Sequence, residues 1–294
     1  LWNFISIYAY CLEKKYECRN YSFFEYNSFF NIPIKNKLIE LIFFRPFKNK
    51  LKRRNSFLTK TFRNIYKIYV LLVKIFYKHR IISSKNVENK IFYLPPSFTN
   101  NKKLSILEKK DAIIYFEGWL FRNPEGIKKY KKDILEYFRP NEKIKKNIDD
   151  VILNLRKKYK NIIGVHIRQG DYKNFKSGEY FIEQKRVREI INEYLAFFQK
   201  TPKKMCFLIT SDDEIDEKNF ENLNYTISRK NAIENLFILS KTDAILGSDS
   251  SFGNFASYYG DIPHIIFKKE NIDWNYYKEK NKYFQNKYCS MVQY

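Results

Sequence analysis

The sequence predicts an α/β fold with a parallel sheet in the C-terminal half of the chain. Beyond residue 161, apolar runs too short for helices alternate with periodic segments long enough to be helices, which is typical of parallel β-α units. The predicted strands are 162–167, 205–210, 225–227, 244–246 and 264–267, and the predicted helices between them are 180–198, 216–221, 232–241 and 252–259. With 294 residues, the chain is long for one core and sufficient for two domains.

The N-terminal half has less regular patterning. An opening helix is predicted over residues 1–15. The longest apolar run, 65–82, is interrupted by basic residues that include Lys67 and Lys74. These charges exclude an ordinary membrane-spanning helix, and the run predicts an amphipathic helix. No signal peptide is recognised, although the chain starts without a methionine.

Two helices are expected to connect the halves. Pro124 suits the first turn of a helix, and apolar residues follow it at spacings of three and four. A second helix is predicted over 141–158, with isoleucine and leucine on one stripe. The predicted domains are residues 1–155 and 156–294.

The composition is strongly basic, with a formal net charge of +23. Such a charge attracts the phosphates of a nucleotide, a nucleic acid or an anionic membrane. Compositional bias towards Lys, Asn, Ile, Tyr and Phe is an equally good explanation, so the charge alone names no partner. The 4 cysteines have no CxxC spacing, which indicates neither a zinc site nor a disulfide framework and favours a reduced, cytoplasmic setting.

The first predicted strand of the sheet ends in a candidate phosphate clamp. His166 and Arg168 lie on one face of the strand because side chains alternate with period two. The planar fork of Arg168 suits two phosphate oxygens, and Asp171 is near enough in sequence to orient it. The alternative is a structural Arg–Asp pair beside a histidine of the core.

The second predicted strand runs into Ser211, Asp212 and Asp213. Their oxygens could accept hydrogen bonds from ribose hydroxyls or a base edge. Alternatively, Ser211 caps the following helix and the acids favour its positive end. Asp212 and Asp213 form, with Glu214 and Asp216, the only acidic cluster in the sequence that could hold a divalent metal. Because the sequence has no DxD motif, we expect no metal.

The strand predicted over 244–246 is followed by Asp249, Ser250, Ser251 and Phe252, which open a helix. Hydroxyl side chains and free backbone N–H groups at a helix N-terminus can bind an anion. An ordinary N-cap is the simpler explanation for this turn alone. Three strand ends that each suit one part of a nucleoside diphosphate nevertheless favour a nucleotide site.

These motifs resemble those of the α-1,2-fucosyltransferase family, whose members carry an HxRxGD segment, a strand ending in SDD, and an SSF or STF turn before a helix. Here they read HIRQGD (166–171), FLITSDD (207–213) and DSSF (249–252), in the same order. Segment 235–240 also resembles the family's helix before the last motif, and 115–119 resembles its aromatic YFQ segment.

The chain departs from the family at three places. The family's GGLGNQ loop is expected immediately before Leu1 and is absent from the sequence. Asn254 and Phe255 stand where the family has two tryptophans, and Glu117 stands where it has glutamine. The missing loop leads us to expect an incomplete N-terminal domain.

The resemblance implies a GT-B-like architecture of two Rossmann-like domains facing a cleft, the N-terminal one incomplete. It implies an inverting, metal-independent transfer of L-fucose from GDP-fucose to a galactoside hydroxyl of a glycan, with no cofactor beyond the donor. His166, Arg168 and Asp171 are then the catalytic candidates, and the general base is open among Asp171, Glu117 and Glu179. The residues expected to bind the donor are His166, Arg168, Ser211, Asp212, Asp213, Asp249, Ser250, Ser251 and Phe252.

The expected partners are a GDP-sugar donor and a glycan acceptor, with a lipid-linked glycan among the alternatives. Peripheral contact with an anionic membrane from the cytoplasm is a hypothesis that rests on the charge. A related transferase with another GDP-sugar or acceptor, and an inactive relative, are the open alternatives. A basic nucleic-acid-binding protein is less favoured, because Lys and Arg are scattered along the chain and no nucleic-acid-binding motif is present.

Overall fold

The computed structural model describes residues 1–30, 32, 57–83, 91–94 and 113–279. The chain divides into two compact units, 1–141 and 142–294. This division precedes the predicted boundary at 155, because the helix that begins at Glu142 packs with the second unit. Among the described helices, none is both long enough and apolar enough to cross a membrane.

The first unit combines helices with two short parallel strand pairs. Its elements are α1 (Trp2–Lys14), α2 (Phe57–Phe76), β1 (Ile81–Ser83), β2 (Phe92–Tyr93), β3 (Tyr115–Glu117), β4 (Phe121–Arg122), α3 (Pro124–Lys129) and α4 (Lys131–Tyr137). Strand β1 pairs with β3 and β2 pairs with β4. Buried Tyr10, Ile82, Phe92 and Phe121 join α1 to these pairs in one small core.

Two predictions for this unit need correction. The amphipathic helix predicted over 65–82 lies at α2, and Ile81 and Ile82 form a strand instead because they pair with Tyr115 and Phe116. The helix predicted from Pro124 is broken at Tyr130 into α3 and α4.

The second unit contains a five-stranded parallel sheet. Its elements are α5 (Glu142–Arg156), β5 (Asn161–Ile167), α6 (Gln184–Phe197), β6 (Met205–Ser211), β7 (Tyr225–Ile227), α7 (Ala232–Leu239), β8 (Ala244–Gly247), α8 (Ser251–Gly260), β9 (His264–Ile266) and α9 (Trp274–Glu279). Each predicted strand is confirmed, with ends that differ by at most a residue. The predicted helices 232–241 and 252–259 are confirmed as α7 and α8. The helix predicted over 180–198 is α6, which begins only at Gln184. The segment 216–221, predicted as a helix, contains only a short 3₁₀ turn over Glu217–Phe220.

Helices cover both faces of this sheet, which explains why its strands read as continuous apolar runs. On one face, Val187 and Ile190 of α6 pack against Val165 and other buried residues of the central strands. On the other, Leu239 at the end of α7 lies so close to β5 that a Cβ at Gly164 would come within 2.7 Å of its Cδ2 atom. A larger residue at this position would force the Leu239 side chain to shift, so glycine favours this close approach of helix and strand.

The strand order is β7-β6-β5-β8-β9, with all neighbours parallel. The first strand of the unit thus lies at the centre, and the chain reverses its direction of winding between β5 and β8. This is the Rossmann-type order, in which ligands bind outside the carboxyl ends of the strands at the point of reversal. The α/β class and a Rossmann-like C-terminal domain are confirmed, whereas a second such domain and a cleft stay predictions.

Candidate functional site

Arg168 follows β5 directly and lies at the carboxyl end of the sheet. Its Nε and Nη2 atoms donate hydrogen bonds of 2.9 and 3.0 Å to the two carboxylate oxygens of Asp171. A carboxylate oxygen of Asp212 lies 3.1 Å from Nε, and the Tyr172 ring centroid lies 5.7 Å from the guanidinium carbon. The side chain is 34% exposed, so this fork is held in place while it still faces solvent.

Asp212 joins the ends of β5 and β6. Its Oδ1 atom accepts hydrogen bonds from the backbone N–H groups of Gln169 (2.7 Å) and Gly170 (3.2 Å). Its Oδ2 atom pairs with Arg168. Both oxygens therefore hold the loop that carries Arg168, an orienting function that competes with the predicted contact to ribose or base.

The loops after β5 and β8 are joined by two hydrogen bonds. The backbone N–H of Arg168 donates to the hydroxyl of buried Ser248 at 3.0 Å. The Tyr172 hydroxyl donates to the backbone carbonyl of Asp249 at 2.8 Å. The arginine loop and the serine turn therefore meet at the point where the sheet reverses its winding.

The serine turn opens α8. Ser250 is the N-cap, and its hydroxyl accepts a hydrogen bond of 3.3 Å from the backbone N–H of Gly253. Ser251 is exposed in the first turn, and Phe252 stacks on the His166 ring with the centroids 4.8 Å apart. The ordinary capping function is thus present, and the positive end of the helix dipole lies beside the arginine loop.

A buried polar cluster lies beneath this edge. The Nδ1 atom of His166 is 3.3 Å from the hydroxyl of Thr210, its register partner on β6. His264 on β9 places its Nδ1 atom 2.7 Å from the Oδ1 atom of Asn254. Among the described residues, none forms a hydrogen bond with the buried Nε2 atom of His166.

Burial keeps both histidines neutral. Burial lowers the pKa of His166 to about 4; the charge of Asp212 opposes this and that of Arg168 adds to it. Burial, and secondarily the proximity of His166, lowers the pKa of His264 to about 3. At neutral pH His166 therefore contributes packing and hydrogen bonding to the site, and Arg168 contributes the positive charge.

The remaining acidic motif stays at the surface. The Ser211 hydroxyl accepts a hydrogen bond of 3.1 Å from the backbone N–H of Asp213. Asp213 in turn accepts from the Glu214 backbone and pairs with Lys173 at 3.2 Å, and these contacts lower its pKa. Across the described ranges, no group of three or more His, Cys, Asp or Glu side chains is arranged to hold a metal ion.

The three base candidates have different surroundings. Asp171 is engaged on both oxygens by Arg168. Glu117 belongs to the first unit, where its carboxylate lies 2.6 Å from the Lys74 amine. Glu179 is exposed in the loop between β5 and α6. The contacts of Asp171 favour the orienting function that the sequence also allowed.

Several residues of this edge escaped prediction. Tyr172, Thr210 and Ser248 link the loops or support His166, and Asn254 holds His264. Thr210 and Ser248 had a readable signal, because each ends or follows a strand beside β5. The partnership of His264 with Asn254 had none, since it depends on how β9 and α8 pack.

No family model and no curated protein matches the sequence. Similar solved structures include POFUT1 in complex with GDP-fucose, at 15% identity and a TM-score of 0.42, with 57% of this chain and 58% of that chain covered. NodZ α-1,6-fucosyltransferase soaked with GDP-fucose is similar at 16% identity and a TM-score of 0.41, with 64% and 73% covered. The chain thus spans 58% of the length of POFUT1 in that structure. Identity and TM-score at this level assign no function.

Proposed function

We propose that the second unit binds the diphosphate of a GDP-sugar and that the protein transfers L-fucose from GDP-fucose to a galactoside hydroxyl of a glycan. One observation carries the proposal: the loop that bears the Arg168 guanidinium and the N-terminal turn of α8 meet at the reversal point of a Rossmann-type sheet, where the backbone N–H of Arg168 donates a hydrogen bond to the Ser248 hydroxyl. This is the place where such sheets bind ligands, and both groups favour negative charge. The motif resemblance supplies the choice of donor and of the galactoside 2-hydroxyl.

In this reaction the acceptor hydroxyl attacks the anomeric carbon from the face opposite GDP. The new bond joins the acceptor oxygen to that carbon, and the bond from the carbon to the β-phosphate oxygen breaks. The electron pair of the broken bond stays on GDP, and the hydroxyl proton passes to a base or to water. Configuration at the anomeric carbon is therefore inverted.

The protein's task is to stabilise the charge that grows on the leaving phosphate. Arg168 supplies a fixed positive charge, Ser250 caps the helix terminus that would face the same phosphates, and Ser251 is exposed in the first turn of that helix. Asp171 and Asp212 orient the guanidinium before the donor arrives. This set needs no metal ion, in keeping with the proposal of a metal-independent transferase.

Product analysis of the full chain tests the proposal. We expect the protein, incubated with GDP-fucose and β-galactosides, to release GDP and form a fucosylated product, whose linkage and configuration nuclear magnetic resonance can assign. GDP-mannose serves as the alternative donor. If the protein used GDP-mannose and not GDP-fucose, the proposed donor sugar would be wrong, but the proposed diphosphate site would still stand.

A nucleic-acid-binding protein would give the opposite pattern. Its affinity for oligonucleotides would fall steeply with salt, and GDP would leave the melting temperature unchanged. That result would overturn the proposal.

A further inference from the structure

Helix α2 in the first unit has two contrasting faces. Its packed face contacts the segment 21–25: Phe62 lies against Phe24, and Tyr69 lies against Tyr21. Val73, on the same side, is buried. These contacts fix the orientation of the helix about its own axis.

The opposite face carries large apolar side chains in solvent. Phe57 is 86% exposed, Ile68 59%, Leu71 56% and Ile75 63%. At about 100° per residue, these four side chains fall within a sector of about 60°. They lie along a helix of about 30 Å, on which exposed Asn64 separates Phe57 from the other three, and Ile65, Leu72 and Phe76 widen the apolar face around those three. We call this face the α2 stripe.

Basic residues flank the α2 stripe. The helix contains four basic residues and no acidic residue. Arg63 and Lys74 are paired with Glu25 and Glu117 of the same unit. Lys60 and Lys67 are exposed and lie two turns apart along one edge of the stripe.

We infer that the α2 stripe docks on an anionic lipid bilayer, with the helix lying in the plane of the headgroups. The apolar side chains would enter the boundary between headgroups and acyl chains, and the lysines would contact lipid phosphates. A second copy of the chain fits this surface less well, because it carries the same net charge of +23 and the same basic edge. The inference is independent of the proposed transferase reaction.

Vesicle flotation of the full chain tests the inference. We expect recovery with vesicles of phosphatidylcholine and phosphatidylglycerol, little recovery with phosphatidylcholine alone, and weaker binding as salt rises. The double variant Lys60→Gln/Lys67→Gln should lower the partition coefficient about 25-fold, at about fivefold for each charge. The double variant Ile68→Gln/Leu71→Gln should lower it at least about tenfold.

Matched controls separate this surface from overall charge and exposure. Lys157→Gln/Lys158→Gln removes the same formal charge from exposed positions of the second unit, and Leu153→Gln replaces a leucine that is 59% exposed there. Both controls should float like the wild type. Circular dichroism and melting temperature verify that every variant is folded.

Two results would overturn the inference. One is equal flotation of the Lys60→Gln/Lys67→Gln and Lys157→Gln/Lys158→Gln variants, which would mean that total charge alone drives binding. The other is that the wild type fails to float and instead sediments as a dimer without lipid, and that Ile68→Gln/Leu71→Gln abolishes this dimer. The stripe would then be a contact between copies of the chain.

Discussion

The buried imidazole of His166 should make the second unit lose stability as the pH falls from about 6.5 to about 4. In the unfolded chain this histidine binds a proton near its ordinary pKa of 6.5, whereas burial lowers the pKa in the folded protein to about 4. Above 6.5 neither state binds the proton, so the stability is fully present there. Between the two pKa values only the unfolded state is protonated, which favours unfolding.

The size of the loss follows from the pKa difference. One pKa unit corresponds to 1.36 kcal/mol, so the full loss for His166 is about 3 kcal/mol, and about 2.5 kcal/mol of it is reached by about pH 4.5. His264, whose pKa falls to about 3, should lose stability in the same direction. Because the two rings lie close together, their effects are not expected to add independently.

Urea unfolding of His166→Asn and of the wild type at neutral and acidic pH measures this loss. The wild type should lose about 2 to 3 kcal/mol more than the variant between about pH 7 and about pH 4.5. Carboxylates titrate in both proteins, so the comparison removes their contribution. The control is His79→Asn, since His79 is the exposed histidine among the 3 in the chain.

Equal pH dependence of His166→Asn and the wild type would refute the reasoning. So would an effect of His79→Asn as large as that of His166→Asn.

Two further substitutions test the contacts of the sheet. Asp212→Asn should lower the free energy of unfolding by about 1 kcal/mol and weaken GDP binding, because it removes the charge that pairs with Arg168. Urea unfolding and calorimetric titration measure the two effects, and Asp150→Asn, at an exposed position of α5, should leave both quantities unchanged. Equal effects of the two variants would contradict an orienting role for Asp212. Gly164→Ala should lower the free energy of unfolding by about 1 to 3 kcal/mol, because the new Cβ would lie 2.7 Å from the Leu239 Cδ2 atom. Urea unfolding measures this loss. An unchanged urea midpoint would contradict the prediction and show that α7 can move away at little cost.

The secondary structure was easiest to predict for the strands that are buried on both faces of the sheet. Strands such as 162–167 and 205–210 are recognisable because helices cover both faces and leave almost no polar position inside the run. The motifs could be placed at strand ends for the same reason. The order of the strands was not readable, because it depends on how the crossover helices pack.

Within the site, the sequence predicted which residues lie at the strand ends, but only some of their hydrogen-bond and ion-pair partners. Arg168 and Asp171 are three residues apart, and their pairing could be anticipated from that spacing. Asp212 turns back onto the loop after β5, a contact made across 43 residues that no local pattern specifies. The pKa of His166 is likewise lowered mainly by burial, which depends on how the surrounding elements pack, and the charge of nearby Arg168 adds a smaller contribution.

The most direct test is calorimetric titration of GDP and guanosine into the wild type, Arg168→Ala and Arg156→Ala. Arg156 is a matched control: its side chain is 32% exposed and forms a two-bond pair with Asp243 in the same unit, as Arg168 does with Asp171. We expect Arg168→Ala to weaken GDP binding about 10- to 100-fold and to leave guanosine binding unchanged, while Arg156→Ala behaves like the wild type. Equal GDP affinity in the two variants would contradict the assignment of Arg168 to the diphosphate.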